Sequence, residues 1–165
     1  MFEQFAKLGI EVKTKDHPPI MTVDDGHEHW RDVPGVHCKN LFFKDAKGVY
    51  WLVVTPIDRE IDVKGIAPRM GSKRLSFARA ERLREVLGVE PGSVTPFALI
   101  NDGEQRTNVI LDKWMMAQDL LNFHPLENTA TTSISSKDLL TFIDACGHIP
   151  KTVELRMNVD EGIAS

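Results

Sequence analysis

Lys39 and Asn40 stand directly before Leu41, Phe42 and Phe43 in "HCKNLFFKD", residues 37–45. A strand alternates its side chains with period two, so Lys39, Leu41 and Phe43 would share one face and Cys38, Asn40 and Phe42 the other. A lysine on an apolar strand face must snorkel to water, pair with an acid or face a pocket. In a pocket its ammonium suits a developing negative charge, and Asn40 beside it supplies two donors and an acceptor. His124, in "FHP" at 123–125, falls at a strand end before a chain-redirecting proline; it reads as a satisfied structural histidine or as a polar group of a site. "GVEPGSVTP", 88–96, is a loop pinned by Pro91 and Pro96. Backbone donors around Gly92, Ser93, Val94 and Thr95 could line a site or simply join a helix to a strand.

Other chemistries find little support. Neither G-x-G-x-x-G nor G-x-x-x-x-G-K-[ST] occurs, and "MGSKRLS" has its glycine, lysine and serine in the wrong order for a phosphate loop, so ATP and NAD are not expected. His27, His29, His37 and Cys38 fall within a short stretch, but their spacing matches no recurrent zinc pattern and no metal is expected. "DDGHEHW", which holds two of them, reads as an exposed helical segment. Without a nucleophile turn, Cys38 reads as a small buried apolar residue.

The 165 residues fit a single domain, 1–165, large enough to bury roughly two-thirds of its unfolded surface. Two cysteines and no signal-like start point to a reduced, cytoplasmic protein. No apolar run approaches the ~18 residues of a membrane span. The net charge of −4 argues against general stickiness to polyanions, yet residues 64–84 carry seven cations against the single acid Glu81. That segment is either a solvated helix face or a local surface for a phosphate backbone.

The elements that must position these residues follow from pattern. "MFEQFAKLGI" reads as a short amphipathic helix. "GVHCKNLFFKDAKGVYWLVVTPI" reads as two strands around Asp45-Ala46-Lys47-Gly48, a hairpin turn. "LSFARAERLREVLG" predicts a helix capped by Ser76, with Phe77, Ala80, Leu83 and Leu87 inward and Gly88 at its exit. Strands are expected at Phe97–Ile100, "NVILD", "LLNFH", "ATTSI" and "TVELRM", with a helical turn at "WMMA". "SSKDLLTFIDACGH" predicts a second helix, capped by Ser135 or Ser136, with Leu139, Leu140, Phe142 and Ile143 inward and Gly147 at its end. Hairpins without strict β-α-β alternation indicate an α+β fold: a curved, mixed, largely antiparallel, barrel-like sheet surrounded by helices.

Together, "DHPP" at 16–19, "KNLFFKD" at 39–45, "GSKRLSFARAERLREVLGVEPGSVTPF" at 71–97, "FHPLENTATTSIS" at 123–135 and "GHIP" at 147–150 resemble the YbaK/ProX family of aminoacyl-tRNA editing domains, in order along nearly the whole chain. Within it the chain is most similar to the free-standing ProXp-ala (PrdX) type, itself similar to the editing insertion of bacterial prolyl-tRNA synthetase. The resemblance implies a trans-editing hydrolase without cofactor or metal that deacylates Ala-tRNA(Pro) and spares Pro-tRNA(Pro). The alternatives are a family deacylase for another mischarged tRNA and a non-catalytic tRNA-binding module. It assigns Lys39, Asn40 and His124 to catalysis, Gly92, Ser93, Val94, Thr95 and Pro96 to substrate binding, and Lys44 and Arg74 to the tRNA. The implied partner is the acceptor stem and CCA end of aminoacyl-tRNA. Prolyl-tRNA synthetase or an elongation factor are further candidate partners, a membrane is not, and a monomer is expected.

Overall fold

The computed structural model describes residues 1–19 and 33–156. Its centre is the hairpin of β2 (Val36–Asp45) and β3 (Tyr50–Pro56), paired antiparallel from Cys38↔Pro56 to Lys44↔Tyr50. The turn forms where the sequence predicts it. Asp45 Oδ1 accepts from the N–H groups of Lys47 and Val49, and Gly48 takes φ +83, a left-handed conformation that glycine adopts without penalty.

Around the hairpin the eight-stranded sheet runs β1-β7-β6-β2-β3-β5-β8, with β4 joined to β2. The remaining strands are β1 (Lys13–Asp16), β4 (Leu75–Phe77), β5 (Thr107–Asp112), β6 (Leu120–Phe123), β7 (Ala130–Ser135) and β8 (Lys151–Val153). Pairings β1–β7, β2–β3, β2–β4 and β6–β7 are antiparallel, while β2–β6, β3–β5 and β5–β8 are parallel. The expected α+β class with a mixed sheet is therefore observed, and among the described residues the sheet is not closed. The helices are α1 (Phe2–Lys7), α2 (Val63–Met70), α3 (Ala80–Val86), α4 (Lys113–Met116) and α5 (Ser136–Ala145). None of them is long and apolar enough to cross a membrane.

Strand alternation divides the interior in two. Cys38 and Phe42 of β2 join Leu52 and Val54 of β3 in a large core that includes Phe5, Phe97, Phe123 and Phe142. Phe43 and Val53 point the other way, into a smaller core with Ile66, Met70 and Ile110. Phe97 is fully buried, its ring 5.2 Å from Phe5 and 5.6 Å from both Phe123 and Phe142.

Several expectations are corrected. Phe97–Ile100 is not a strand: Pro96–Asn101 forms a 3-10 helix, with Pro96 at its start and Thr95 Oγ1 accepting from the Phe97 N–H. A continuous apolar run fits a buried strand or a buried helical segment equally, and here the proline and the threonine cap decide. Ser76 is not a helix cap, because it lies in β4 opposite Lys44 and helix α3 starts at Ala80. Phe77 accordingly does not turn inward but is 62% exposed. Leu140 is 40% exposed on the outer side of α5, whereas Ser135 does cap that helix by accepting from the Asp138 N–H.

Candidate active site

Strand β2 carries a break in its pairing. Its first edge is covered by β3 along nearly its whole length, but the second meets β6 only at Val36 and His37 and β4 only from Phe43 to Asp45. Between them no described strand pairs with that edge. The Phe42 carbonyl turns toward it to accept from the Ala78 N–H, so by alternation the Asn40 N–H and C=O point there too.

The Gly92–Pro96 loop enters this region. Asn40 Nδ2 donates to the Val94 carbonyl at 2.9 Å, while Asn40 Oδ1 is buried without a partner. Phe97 anchors the loop in the core immediately downstream, and Val94, Thr95 and Pro96 are buried with it. Gly92 and Ser93, in a 3-10 turn, are more open. A Cβ on Gly92 would lie 3.8 Å from Asn128 Nδ2, so the loop runs beside the segment that follows His124. The structure thus ties Asn40 directly to the loop, and the loop to the neighbourhood of His124.

Lys39 occupies the opposite face, opposite Thr55 and in line with Leu41 and Phe43. It is partly buried, and this loss of solvation lowers its pKa below the ordinary 10.5, against the opposing pull of Asp58 and Glu60. Beneath it, fully buried Asp112 accepts from Thr55 Oγ1 at 3.2 Å, Arg59 Nε at 2.9 Å and the Met115 N–H at 2.9 Å. That saturated carboxylate holds the ends of β3 and β5 together under the lysine.

His124 lies just beyond β6, its Nδ1 buried without a partner. Burial lowers its pKa below 6.5, a hydrogen bond with the Ala130 backbone opposes this, and nearby His17 adds to the lowering. A ring held neutral at pH 7 keeps one nitrogen as donor and the other as acceptor. His17 itself is a residue that sequence reasoning did not place. Its Nδ1 donates to the Pro18 carbonyl and its Nε2 meets Thr131 Oγ1, both at 2.8 Å, and the signal available for it was the histidine ahead of two prolines in "DHPP".

Lys44 and Arg74 lie elsewhere. Five residues along β2 put Lys44 roughly 17 Å from Lys39, and its partner across the ladder is Ser76, two residues after exposed Arg74. The two cations share the hairpin end of the sheet. Cys38, whose thiol pKa is driven strongly upward by burial, packs its Sγ 3.5 Å from Met115 Sδ, as expected of an inert core residue. His27 and His29 lie outside the described residues, as does the helical segment expected at 24–30. Among the described residues no cluster of three or more histidine, cysteine or acidic side chains could hold a metal.

Comparison with known proteins adds to this geometry. Residues 17–142 match the model of the aminoacyl-tRNA editing domain. The chain is 35% identical over 152 residues to the prolyl-tRNA editing protein ProX of Acetoanaerobium sticklandii, covering 90% of this chain and 92% of that one. It is 36% identical over 154 residues to prolyl-tRNA synthetase associated domain-containing protein 1 of Bos taurus, covering 90% and 89%. A solved structure described as a candidate trans-editing enzyme for prolyl tRNA synthetase shares the fold with a TM-score of 0.70 at 19% identity, over 92% of both chains. The break in β2, the asparagine-anchored loop and these likenesses agree, and the chain belongs to the aminoacyl-tRNA editing domain family.

Proposed function

We propose that this chain is a trans-editing deacylase that hydrolyses mischarged tRNA, releasing alanine from Ala-tRNA(Pro) and sparing Pro-tRNA(Pro). The observation that carries the reading is the Asn40–Val94 hydrogen bond at the unpaired stretch of β2, with half-buried Lys39 on the other face of the strand, so that a substrate lying across the open edge would meet both. The relative named as a prolyl-tRNA editing protein supports the tRNA(Pro) assignment.

An aminoacyl ester is already activated, so the site must position water and stabilise charge rather than supply a nucleophile. The water oxygen attacks the ester carbonyl, the bond to the ribose oxygen breaks, and the proton given up by water goes to that leaving oxygen. Lys39 serves the negative charge that forms on the carbonyl oxygen, and its partial desolvation strengthens the attraction. Asn40 Oδ1, unpaired in the free protein, accepts from the substrate's amino group. His124 and the backbone donors of Gly92–Pro96 hold the amino acid, and a ribose hydroxyl of the terminal adenosine orients the water. No step calls for a cofactor.

Size explains why such an enzyme is needed. A synthetase pocket built for proline rejects alanine weakly, since missing methylenes are worth only ~1–3 kcal/mol. A second, smaller site can admit alanine and exclude proline. Cognate alanine on its own tRNA must survive, so the tRNA is read as well, with Lys44 and Arg74 on the acceptor stem.

The test is amino-acid release from Ala-tRNA(Pro), Pro-tRNA(Pro) and Ala-tRNA(Ala) in parallel. Hydrolysis of the first alone is expected. Intact Ala-tRNA(Pro) with hydrolysis of another mischarged tRNA would move the assignment to that substrate, and binding without hydrolysis of any would make the protein a tRNA-binding module.

A further inference from the structure

An isolated exposed apolar side chain is ordinary, but Phe77 has unusual company. Its ring, 62% exposed, leans on buried Phe43 with centroids 4.7 Å apart and planes tilted by 35°. One face is thereby fixed and the other left to solvent. Lys44 and Arg79 beside it, and Lys73 and Arg74 just ahead of it in the chain, make no ion pair among the described residues, whereas Arg82 and Arg84 of the same basic segment are bound by Glu85 and Glu90. A cavity of about 460 Å³ beside the ring is lined by Lys44, Arg79 and Arg82 and also by the acids Asp45 and Glu81; Asp45 is already engaged by the turn N–H groups and the Trp51 indole.

The register supplies the second observation. Phe77 pairs with Phe43, and Phe43 shares a face of β2 with Leu41 and Lys39. Phe77 therefore stands on the lysine's face of the sheet, at the height of a residue four positions along the strand, roughly 13 Å away. A stacked nucleic-acid strand covers that span in about four nucleotides at ~3.4 Å each, and an extended one in fewer.

We infer that Phe77 is a stacking platform for an unpaired base of the tRNA 3′ strand, two or three nucleotides before the aminoacylated adenosine. The inference rests on the editing reading proposed above and adds a residue that grips the strand between the ester site and the stem. The charges fit this occupant: Lys44, Lys73, Arg74 and Arg79, without an ion pair among the described residues, outnumber Asp45 and Glu81 near an aromatic face, the combination that single-stranded nucleic acid selects, with phosphates on the rim and a base on the ring. Stacking is tolerant of sequence, so Phe77 sets the strand's path and reach rather than its identity.

The experiment uses the full chain with two uncharged RNA hairpins of the acceptor stem, one carrying a four-nucleotide 3′ overhang ending in CCA and one blunt, with affinity read by fluorescence anisotropy. Phe77→Leu keeps an apolar contact with Phe43 but removes the π face, and Phe77→Trp restores one. We expect Phe77→Leu to weaken overhang binding by about 5- to 10-fold, to leave blunt binding unchanged, and to raise KM for Ala-tRNA(Pro) more than it lowers kcat, with Phe77→Trp recovering both. Unchanged overhang binding in Phe77→Leu, or equal weakening of both hairpins, would overturn the inference while leaving wild-type hydrolysis, and with it the editing reading, intact. Overhang binding that depends on Phe77 in a protein that deacylates no mischarged tRNA would support the platform and overturn the editing reading.

Discussion

Two buried polar groups in this fold, Asp102 and Asn40, are held in opposite ways. Asp102 accepts from the N–H groups of Arg106 and Thr107 and meets His148 Nε2 at 3.0 Å, so each of its oxygens is used. Asn40 makes one bond, to Val94, and leaves Oδ1 buried and unmatched; nearby His124 leaves Nδ1 unmatched as well. A buried polar atom without a partner costs about 1–3 kcal/mol. The oxygens of Asp102 avoid that cost, although His148 Nδ1 and Thr107 Oγ1 beside it are buried without a partner, and the carboxylate pins the chain between the 3-10 helix and β5 to the exit of α5. Around Asn40 it is carried in the free protein, in a place where an incoming amino group can relieve it. The saturated carboxylate of Asp102 holds the fold, and the unmatched amide oxygen of Asn40, at the open edge of β2, is where chemistry has room to occur.

The largest effect that should separate the two regions is on stability. Asp102→Ala removes a buried, fully bonded carboxylate and strands His148 and two backbone donors, an expected loss of about 3–5 kcal/mol in chemical denaturation. Deacylation per folded molecule should be nearly unchanged. A drop in kcat with stability intact would place Asp102 in the reaction and erase the contrast.

Asn40→Ala should show the reverse. Only one hydrogen bond and one unmatched oxygen are lost, so stability should move by no more than about 1 kcal/mol, while single-turnover deacylation falls by about 100-fold. His124→Gln distinguishes holding from proton transfer, because glutamine keeps a donor and an acceptor but cannot act as a base. Near-normal rates are expected, and a collapse would make His124 the general base.

At the hairpin end of β2, Arg74→Ala should weaken activity on every tRNA substrate alike. It should also reduce the steepness of log affinity against log salt by about 0.7–0.9. Unchanged salt dependence would remove Arg74 from the interface.

The smallest effects are in pH dependence, where the two regions should occupy different windows. Burial lowers the pKa of His124 below 6.5, so the unfolded chain takes up the proton first as pH falls. Its contribution to stability is complete above 6.5 and declines as pH drops toward its folded value; His124→Gln should flatten that stretch of the curve. For Asp102, burial raises the pKa, but hydrogen bonds from the Arg106 N–H, His148 and Thr107 outweigh it and leave the group below 3.8. Its contribution is present above 3.8 and is lost as pH falls through the folded value. Urea midpoints across pH 3 to 8 should therefore decline in two separate steps, and a single step would show that the two groups titrate together.

The legible parts of this fold were the local ones. Asp45-Ala46-Lys47-Gly48 signalled the central hairpin because turn chemistry lies in consecutive residues, and Ser135 signalled the start of α5 for the same reason. β1, "KTKD", is exposed at every position and has no apolar alternation to betray it. α2 was hidden by Pro68 and by the basic residues around it. Ser76 misled because a serine ahead of an apolar stripe resembles a cap, whereas its strand exists only through pairing with β2.

The site was legible to the same degree. Motifs named Lys39, Asn40, His124 and the 92–96 loop, but the break in β2 arises from where β4 and β6 meet it, a non-local fact no window of sequence contains. The same limit hid His17, whose bond to Thr131 joins residues far apart in the chain.

The most direct test of the account is single-turnover release of alanine from Ala-tRNA(Pro) by wild type and Lys39→Ala, with denaturation of both proteins as a control. Among the described residues Lys39 makes no hydrogen bond or ion pair, so the variant should fold with wild-type stability and lose at least about 100-fold in rate. A folded Lys39→Ala protein that releases alanine at the wild-type rate would contradict the assignment of this strand as the catalytic centre.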